Sequence, residues 1–309
     1  MRNLALLAAL LSVLTGSTHL GYHPQKPNQT ISVDVELVNI VFTVFDRKGK
    51  FITSLDRERF RVFEDDRTQT ITNFSKETDI PLTIALLIDT SGSIRDRLRF
   101  EQEAAIEFFY STLKRGIDKG LLVTFDSGVD LLQDYTDDPE VLADGVRRIR
   151  AGGGTSIHDA IHLASSKKLA GHAGRRVIVL ISDGDDNSSR ISFEEALEEA
   201  QRNDVVIYTI STNANSVSRS RDQEHGDKAL KKFAEQTGGQ AFFPSRVQEL
   251  AVDFQNISNE LRAQYSLAYR PTNFRRDGNF RRVRIEVADK KYQVRARAGY
   301  YAPRSKGFE

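Results

Sequence analysis

Residues 82–93 read LTIALLIDTSGS, and this stretch decides the fold. Its first part, residues 82–88, is almost continuously apolar, which is typical of a strand that is buried on both faces of a parallel sheet. The stretch then turns polar and contains Asp89, Ser91 and Ser93. Open α/β sheets bind their ligands beyond the carboxyl ends of their strands. The change from apolar to polar residues therefore predicts a ligand site directly after this strand.

Two later stretches, residues 177–181 and 205–210, are also apolar and predict further buried strands. Segments whose apolar residues recur at helical spacing lie between and after these strands. They cover residues 98–113, 139–149, 157–169, 193–200, 227–237 and 250–261. Alternating strands and helices predict an α/β domain over residues 81–264, with a mostly parallel sheet flanked by helices.

Both flanks of this domain have β character. Residues 31–78 alternate apolar and polar side chains around turn signals, and residues 265–303 return to the same pattern. Neither segment is large enough to bury much apolar surface alone. We therefore expect the two segments to pair into one small β-sandwich, with the α/β domain inserted between them.

The amino terminus resembles an export signal. Arg2 precedes an apolar run over residues 4–14, and small residues follow at 15–17. The run is shorter than the roughly 20 apolar residues that a membrane-spanning helix needs. The sequence thus predicts a signal peptide over residues 1–17, a linker over residues 18–30, and no further membrane segment. We expect the protein to be located outside the cytoplasm. It would be periplasmic, secreted or attached at the cell surface.

Composition excludes several classes of function. The chain has 309 residues, of which 44 are basic and 43 are acidic, so its formal net charge is only +1. This balance does not favour a nucleic-acid partner. The chain contains no cysteine, which excludes disulfides, thiolate metal sites and cysteine catalysis.

Two more loops carry polar residues like those after residue 88. Thr155 follows a pair of glycines before a predicted helix, and Asp183 follows the second apolar strand. With Asp89, Ser91 and Ser93, the loops offer two carboxylates and three hydroxyls. Hard oxygen ligands of this kind favour Mg²⁺ or Mn²⁺, whereas zinc prefers nitrogen and sulfur ligands.

Asp185 and Asp186 are predicted to form an acidic rim of this site, or a secondary cation site.

These motifs match a known family in order and spacing. Asp-x-Ser-x-Ser, Gly-Gly-Thr and a later Asp-Gly resemble the metal-ion-dependent adhesion site (MIDAS) of von Willebrand factor A (VWA) domains, which have a Rossmann-like fold. Flanking stretches at residues 38–41, 63–65, 71–75 and 264–272, and the tail at 298–301, resemble a bacterial exported group of VWA-related proteins. The resemblance thus covers nearly all of the chain beyond the export signal.

The resemblance implies a role for each matching residue. Ser91 and Ser93 would contact the metal directly, and Thr155 would bind it directly or through water. Asp89 and Asp183 would bind it directly or hold coordinating waters. One coordination position would stay open for an Asp or Glu carboxylate of a protein partner, because a cation neutralised by only two carboxylates still attracts an anion.

The function expected from this site is cation-dependent protein binding without catalysis. One alternative is a hydrolase that uses the same cation, with Asp185, Asp186 or His158 as the base. Another is a structural component of a surface assembly, in which the metal only holds loops in place.

Several weaker patterns suggest other chemistry. His158 and His162 have the spacing of a zinc-protease helix, but Asp159 stands where that pattern needs Glu, so packing or surface positions are favoured. Residues 183–194 carry the carboxylate spacing of a calcium loop without its glycine. Glycines 152–154 precede a helix as in phosphate sites, but no lysine follows. Nine arginines in residues 270–304 indicate either an anion-binding face or a solvated sheet edge, and the second is favoured.

Overall fold

The computed structural model describes residues 37–76, 80–92, 95, 97–213 and 220–305. The predicted signal peptide and linker lie outside the described residues, and so does the start of the predicted β segment, residues 31–36. These assignments, and the division into domains, stay predictions. Within the described ranges, no helix has both the length and the apolar character needed to cross a membrane.

The strands of the described chain are β1 (Val38–Asp46), β2 (Phe60–Glu64), β3 (Arg67–Gln69), β4 (Ile71–Ser75), β5 (Leu82–Asp89), β6 (Lys119–Phe125), β7 (Val129–Thr136), β8 (Arg175–Ser182), β9 (Val205–Ser211), β10 (Ala241–Phe242), β11 (Tyr265–Tyr269), β12 (Phe280–Val287), β13 (Tyr292–Ala296) and β14 (Gly299–Tyr301). The α-helices there are α1 (Leu98–Thr112), α2 (Pro139–Arg147), α3 (Ile157–Leu163), α4 (Phe193–Arg202), α5 (Arg221–Thr237) and α6 (Leu250–Leu261).

A mostly parallel sheet forms the centre of the molecule. Its described strands follow the order β10-β9-β8-β5-β6-β7. Neighbouring strands are parallel, except that β7 runs antiparallel to β6 at one edge. Every residue of β5 is buried, as the continuous apolar run predicts. The α/β prediction is therefore confirmed.

Helices cover both faces of this sheet. On one face α1, α2 and α6 enclose an apolar cluster that contains Phe108 and Phe254, whose rings stack at 4.7 Å. On the other face α3, α4 and α5 enclose a second cluster around Ile161 and Phe233. Each fully buried side chain of this size contributes about 1.5–3 kcal/mol, so these two clusters fix the helices to the sheet.

Helix α5 begins at Arg221, earlier than the predicted start at Asp227. Ser220 accepts a hydrogen bond from the Gln223 backbone N–H, and the Gln223 side chain accepts one from the Ser220 backbone N–H. This capping box satisfies two backbone donors at the helix end. The capping residues within 220–223 therefore set the start of the helix. The buried apolar side chains of the helix come later in the sequence.

The predicted helix over residues 157–169 is divided. Its first part is α3, and residues Ala164–Leu169 form a π-helical turn. In that turn the Ser166 hydroxyl donates to the His162 carbonyl at 2.8 Å, a side-chain bond that competes with regular helical bonding.

Two antiparallel sheets pack against each other as a small sandwich. In the described residues their strand orders are β13-β1-β11-β4 and β14-β12-β2-β3, so each sheet combines strands from both flanks of the chain. An aromatic cluster of Phe42, Phe60, Phe74 and Tyr265 fills the space between the sheets, with ring centroids 5.1–5.7 Å apart. This arrangement agrees with the pairing that the sequence predicts.

The α/β body connects to the sandwich through neighbouring strands. The chain leaves the sandwich after β4 and returns at β11, and these two strands pair with each other. Buried Glu260 at the end of α6 accepts hydrogen bonds from Thr43 at 2.9 Å and from Arg295 at 2.5 Å. Since Thr43 and Arg295 belong to sandwich strands, α6 is tied directly to the sandwich.

The arginines of the tail are largely used in ion pairs. Arg281, Arg282, Arg284, Arg295 and Arg297 pair with Asp277, Asp66, Glu286, Glu260 and Asp204, respectively. These pairs support the interpretation of the tail as a charge-balanced sheet surface.

Candidate metal site

The carboxyl edge of the central sheet brings two of the predicted loops together. β5 and β8 are adjacent and parallel, with Ile88 opposite Ile181, so Asp89 and Ser182 end neighbouring strands. The Ser182 hydroxyl donates to Asp89 Oδ2 at 2.6 Å, and the Ser91 backbone N–H donates to Asp89 Oδ1 at 2.9 Å. Both carboxylate oxygens of Asp89 are therefore held in one orientation.

The third loop is joined to the first through backbone bonds. The Gly152 N–H donates to the Thr90 carbonyl at 2.7 Å, and the Gly92 N–H donates to the Gly153 carbonyl at 3.4 Å. Gly153 has φ +91°, and a Cβ there would lie 2.7 Å from Asp126 Oδ2, so this position requires glycine. The glycines ahead of Thr155 thus allow the loops to approach closely.

Thr155 is buried and also anchored to the loop that follows Asp183. The Thr155 carbonyl accepts from the Asn187 and Ser188 backbone N–H groups at 3.1 and 3.0 Å, and its own N–H donates to Asn187 Oδ1 at 3.0 Å. Within the described part of the chain, the Thr155 hydroxyl makes no hydrogen bond. That hydroxyl is therefore available for a ligand.

Burial of the Asp89 carboxyl is the main electrostatic feature of the site. Only 1% of the residue is exposed, and burial raises the pKa of this carboxyl to about 6. Hydrogen bonds from Ser182 and Ser91 oppose the increase in pKa, and the negative charge of Asp183 adds to it. A cation beside Asp89 and Asp183 would lower the pKa of the Asp89 carboxyl, because it attracts the ionised form. It would thereby offset both the burial of Asp89 and the repulsion from Asp183.

Asp183 is positioned by its own backbone and by the end of β9. Its carbonyl accepts from Asn213 Nδ2 at 2.8 Å, and its Oδ1 accepts from the Asp185 N–H at 3.1 Å. Asn213 also donates to Asp227 Oδ1 at 3.0 Å, and the Ser211 hydroxyl donates to the same oxygen at 2.6 Å. A hydrogen-bonded chain thus links Asp183 to helix α5.

Gly184 and Gly226 make the contact between this loop and α5 possible. A Cβ on Gly226 would lie 2.3 Å from the Asp183 carbonyl oxygen, and a Cβ on Gly184 would lie 2.4 Å from the Gly226 carbonyl oxygen. Gly184 also has φ +83°. The loop that carries Asp183 therefore packs directly on the backbone of the helix.

The structure thus gathers Asp89, Ser91, Thr155 and Asp183 at one edge, whereas Ser93 lies outside the described residues. No three His, Cys, Asp or Glu side chains form a metal-holding group in the described ranges. A cation at this edge would consequently depend on hydroxyl oxygens as well as on the two carboxylates. Such a donor set suits a hard divalent cation.

The two rim residues differ in their surroundings. Asp186 accepts hydrogen bonds from the backbone N–H groups of His158 and Ser189 and from the Ser189 hydroxyl. Its carboxylate therefore ties the loop to the start of α3. Asp185 is exposed, and partial burial followed by the charges of Asp183, Asp222 and Asp186 raises its pKa. A role of either residue in binding a second cation stays a prediction.

His158 has a packing role, as favoured from the sequence. Its ring lies among Phe193 and Phe233, with centroid distances of 5.9 and 6.0 Å. Its Nδ1 lies 3.3 Å from the Ile191 carbonyl oxygen.

Several residues that position the site were not anticipated, namely Ser182, Asn213, Gly226 and Asp227. Ser182 had a sequence signal, since it directly precedes Asp183 at the end of an apolar strand. Gly226 also had one, because glycine inside a helix is costly unless close packing requires it.

Comparison with known proteins places the chain in a family. The von Willebrand factor type A domain profile matches residues 83–259. No protein with a curated description matches the chain.

Solved structures share the fold at low sequence identity. A von Willebrand factor type A structure from Catenulispora acidiphila is 13% identical, with a TM-score of 0.50 over 89% of this chain and 76% of that chain. Proximal thread matrix protein 1 from the mussel byssus is 16% identical, with a TM-score of 0.52 over 64% of this chain and 51% of that chain. In a further structure of the mussel protein, zinc occupies its MIDAS motif (TM-score 0.51, 16% identity, 64% and 49% covered).

Proposed function

This chain belongs to the von Willebrand factor type A family, and we propose that it binds a protein partner through a divalent cation. Asp89, Ser91, Ser93, Thr155 and Asp183 would hold the cation, as in a MIDAS. The cation would supply an electrophilic centre that attracts an Asp or Glu carboxylate of the partner. In this proposal the protein is an interaction module and not an enzyme.

The observation that supports the proposal most strongly is the fixed orientation of the Asp89 carboxylate. Ser182 and the Ser91 backbone hold both of its oxygens although it is almost fully buried. A buried carboxylate is unfavourable unless it is paired or coordinates a metal. The Thr155 hydroxyl and the Asp183 carboxylate lie on loops joined to the same edge, which supports their assignment as further ligands.

Mg²⁺ and Mn²⁺ are the proposed cations, because the donor set contains only oxygen. The zinc in the MIDAS of the mussel protein makes zinc a necessary competitor in any binding measurement.

Two of the residues that could act as the base in the hydrolase alternative already make structural contacts. Asp186 accepts hydrogen bonds from two residues, and His158 packs between phenylalanines. These contacts favour binding over hydrolysis.

Export remains part of the proposal. It rests on the apolar run at residues 4–14, which lies outside the described residues. A cation-dependent partner site of this kind would then act outside the cytoplasm.

Calorimetric titration of Mg²⁺, Mn²⁺ and Zn²⁺ into the metal-free full chain tests the proposal. We expect saturable binding of one cation per chain, which is lost in Asp89→Asn and Asp183→Asn. Asp289→Asn, in the turn between β12 and β13, is the matched control and should bind normally. Equal binding by all variants would reject the site, and turnover of ester or peptide substrates by the metal-loaded chain would favour the hydrolase.

A further inference from the structure

A cavity of about 660 Å³ lies on the β-sandwich, between the turn that joins β2 to β3 and the loop that joins β11 to β12. Small-molecule sites commonly have volumes of about 300–1,000 Å³. At about 30 Å³ for each water, the cavity has the volume of roughly 20 water molecules. It shares no residue with the proposed cation site, so the proposed function does not use it.

A buried glutamine holds the two walls of this cavity together. Gln69 is 4% exposed, and its Oε1 accepts a hydrogen bond from the Thr272 backbone N–H at 3.0 Å. Its Nε2 donates to the Thr272 hydroxyl and to the Arg67 carbonyl, both at 3.1 Å. The loop after β11 is thereby fixed to the β2–β3 hairpin, and the cavity is built into the sandwich.

Glu64 places a buried carboxylate in the cavity wall. Only 2% of the residue is exposed, and its Oε2 accepts hydrogen bonds from the Tyr269 and Tyr300 hydroxyls, both at 2.8 Å. Burial raises the pKa of both tyrosines, so their hydroxyls stay protonated as donors. In the part of the chain that the structure describes, the other oxygen, Oε1, accepts no hydrogen bond and keeps some accessible surface. Since Glu64 lines the cavity, Oε1 is an acceptor for a ligand there.

The charged groups around Glu64 are also left unused. Arg67 is its cross-strand partner, so the two side chains project from the same face with Cβ atoms about 5 Å apart. Within the described ranges, however, neither Arg67 nor Arg275 forms an ion pair, although both line the cavity. Asp65 completes the charged wall, and its Oδ1 accepts from the Arg282 backbone N–H at 3.0 Å. Two carboxylates and two guanidinium groups therefore balance each other across this space.

Phe274 supplies the apolar part of the wall. It is 66% exposed, more than any other large hydrophobic residue in the described chain. The Arg270 guanidinium lies 5.4 Å from the centroid of the ring, and this cation–π contact helps to hold the ring in place. Because most of the ring stays exposed, an aromatic surface is available to a ligand beside the charged groups.

These features together define the chemistry of the ligand. The balanced charge gives no advantage to a simple anion or cation, because either would meet groups of its own sign. The ligand must offer donors to the carboxylates and acceptors to the guanidinium groups, and a hydroxyl is both in one group. A pyranose ring carries several hydroxyls at its edge and C–H groups on its face. Those C–H groups are weakly positive and suit the negative face of an aromatic ring.

We propose that this cavity binds a neutral saccharide, with one pyranose ring stacked on Phe274 and its hydroxyls bound by Glu64, Arg67 and Arg275. The volume accommodates more than one sugar ring, so a disaccharide unit of a glycan fits the space. The chain would then have a second recognition site, on the sandwich, that needs no metal.

The test is an NMR titration of the ¹⁵N-labelled full chain in EDTA with four disaccharides, namely cellobiose, maltose, lactose and N,N′-diacetylchitobiose. We expect at least one of them to cause saturable shifts of the amide signals of residues 64–67 and 272–275. Sorbitol, which has hydroxyls but no ring, is the control and should cause no saturable shift at the same concentration.

The absence of a saturable shift with all four disaccharides would overturn the proposal, and so would equal shifts with sorbitol. N-acetyl-lysine methylamide tests the alternative that the carboxylates bind a basic peptide. Saturable binding of this lysine derivative without binding of any disaccharide would reject the saccharide and favour the peptide.

Variants of Phe274 test the stacking contact with the disaccharide that binds. Phe274→Ala should weaken binding at least about fivefold, whereas Phe274→Tyr keeps the aromatic ring and should bind like the wild type. Phe100→Ala is the matched control, because Phe100 is also an exposed phenylalanine, at 46%, but lies on α1. Equal affinity of Phe274→Ala and the wild type would overturn the assigned contact.

Arg275→Met tests the polar contacts. Arg275 is exposed and forms no ion pair in the described chain, so the variant should fold like the wild type. It should weaken disaccharide binding at least about fivefold, because a charged hydrogen bond is lost. Unchanged binding in both Arg275→Met and Phe274→Ala would place the saccharide outside this cavity and reject the proposal.

Discussion

The Ser182 hydroxyl donates a hydrogen bond of 2.6 Å to Oδ2 of Asp89, and this bond joins the ends of the two central strands. It leaves the carboxylate of Asp89 little freedom to rotate, since Oδ1 is held by the Ser91 backbone. Groups that orient a metal ligand in this way commonly change metal affinity by 10–100-fold.

Ser182→Ala should therefore weaken Mg²⁺ binding by about tenfold or more, although Ser182 is not a proposed ligand. Calorimetric titration would measure the change. Ser111→Ala is the matched control, because that hydroxyl donates to a carbonyl within α1, and it should leave the affinity unchanged. An unaltered affinity in Ser182→Ala would show that the orientation of Asp89 does not matter for binding.

Gly226→Ala should destabilise the protein by about 1–3 kcal/mol, because the added methyl group would overlap the Asp183 carbonyl. Helix propensity alone predicts the opposite sign, since alanine is favoured over glycine within helices by about 1 kcal/mol. Urea unfolding distinguishes these expectations. Gly128→Ala, where a Cβ would meet nothing within 4 Å, is the control and should change stability little.

Glu101→Gln should stabilise the metal-free protein above neutral pH. Burial raises the pKa of Glu101 from 4.5 to about 7, so between these values the unfolded chain releases a proton that the folded chain retains. The unfolding free energy that this group contributes therefore falls as pH rises from about 4.5 to 7. The variant should be more stable than the wild type by about 1–3 kcal/mol at pH 8 and similar to it at pH 4.

Urea unfolding of both proteins across this pH range measures the difference, and other titrating groups cancel in the comparison. A stability difference that does not change with pH would contradict the assigned cause.

Arg295→Met should destabilise the fold by about 3 kcal/mol, because it leaves the buried Glu260 carboxylate with a weaker set of partners. The double variant Glu260→Leu, Arg295→Met should recover much of this loss, since a buried ion pair can be replaced by apolar side chains. Urea unfolding measures both values. Arg282→Met, at an exposed pair with Asp66, is the control.

A double variant that is no more stable than the single one would contradict this account of the Glu260 contact.

Much of the fold could be predicted because its strands are strongly patterned. The apolar runs at residues 82–88 and 177–181 are long enough to identify buried parallel strands, and the polar residues after them mark the edge where the loops gather. The pairing of the two β segments followed from their size, because neither could bury its apolar face alone.

The residues that were missed act over long sequence separations. Asn213 and Asp227 support Asp183 only because β9 and α5 are folded beside it, and no local spacing indicates this. The burial of Glu101 could not be predicted either, because an acidic residue within an amphipathic helix is usually solvated. The early start of α5 had a local signal in Ser220 and Gln223, but the apolar periodicity suggested a later residue.

The adjacency of β4 and β11 also determines how the molecule would respond to force. Tension applied between β1 and β14 would load the hydrogen bonds of the sandwich. The α/β body is inserted between β4 and β11, which are neighbours in one sheet of the sandwich. Little of the tension would therefore pass through the α/β body. The carboxyl edge of its sheet would therefore keep its shape under load until the sandwich itself began to separate.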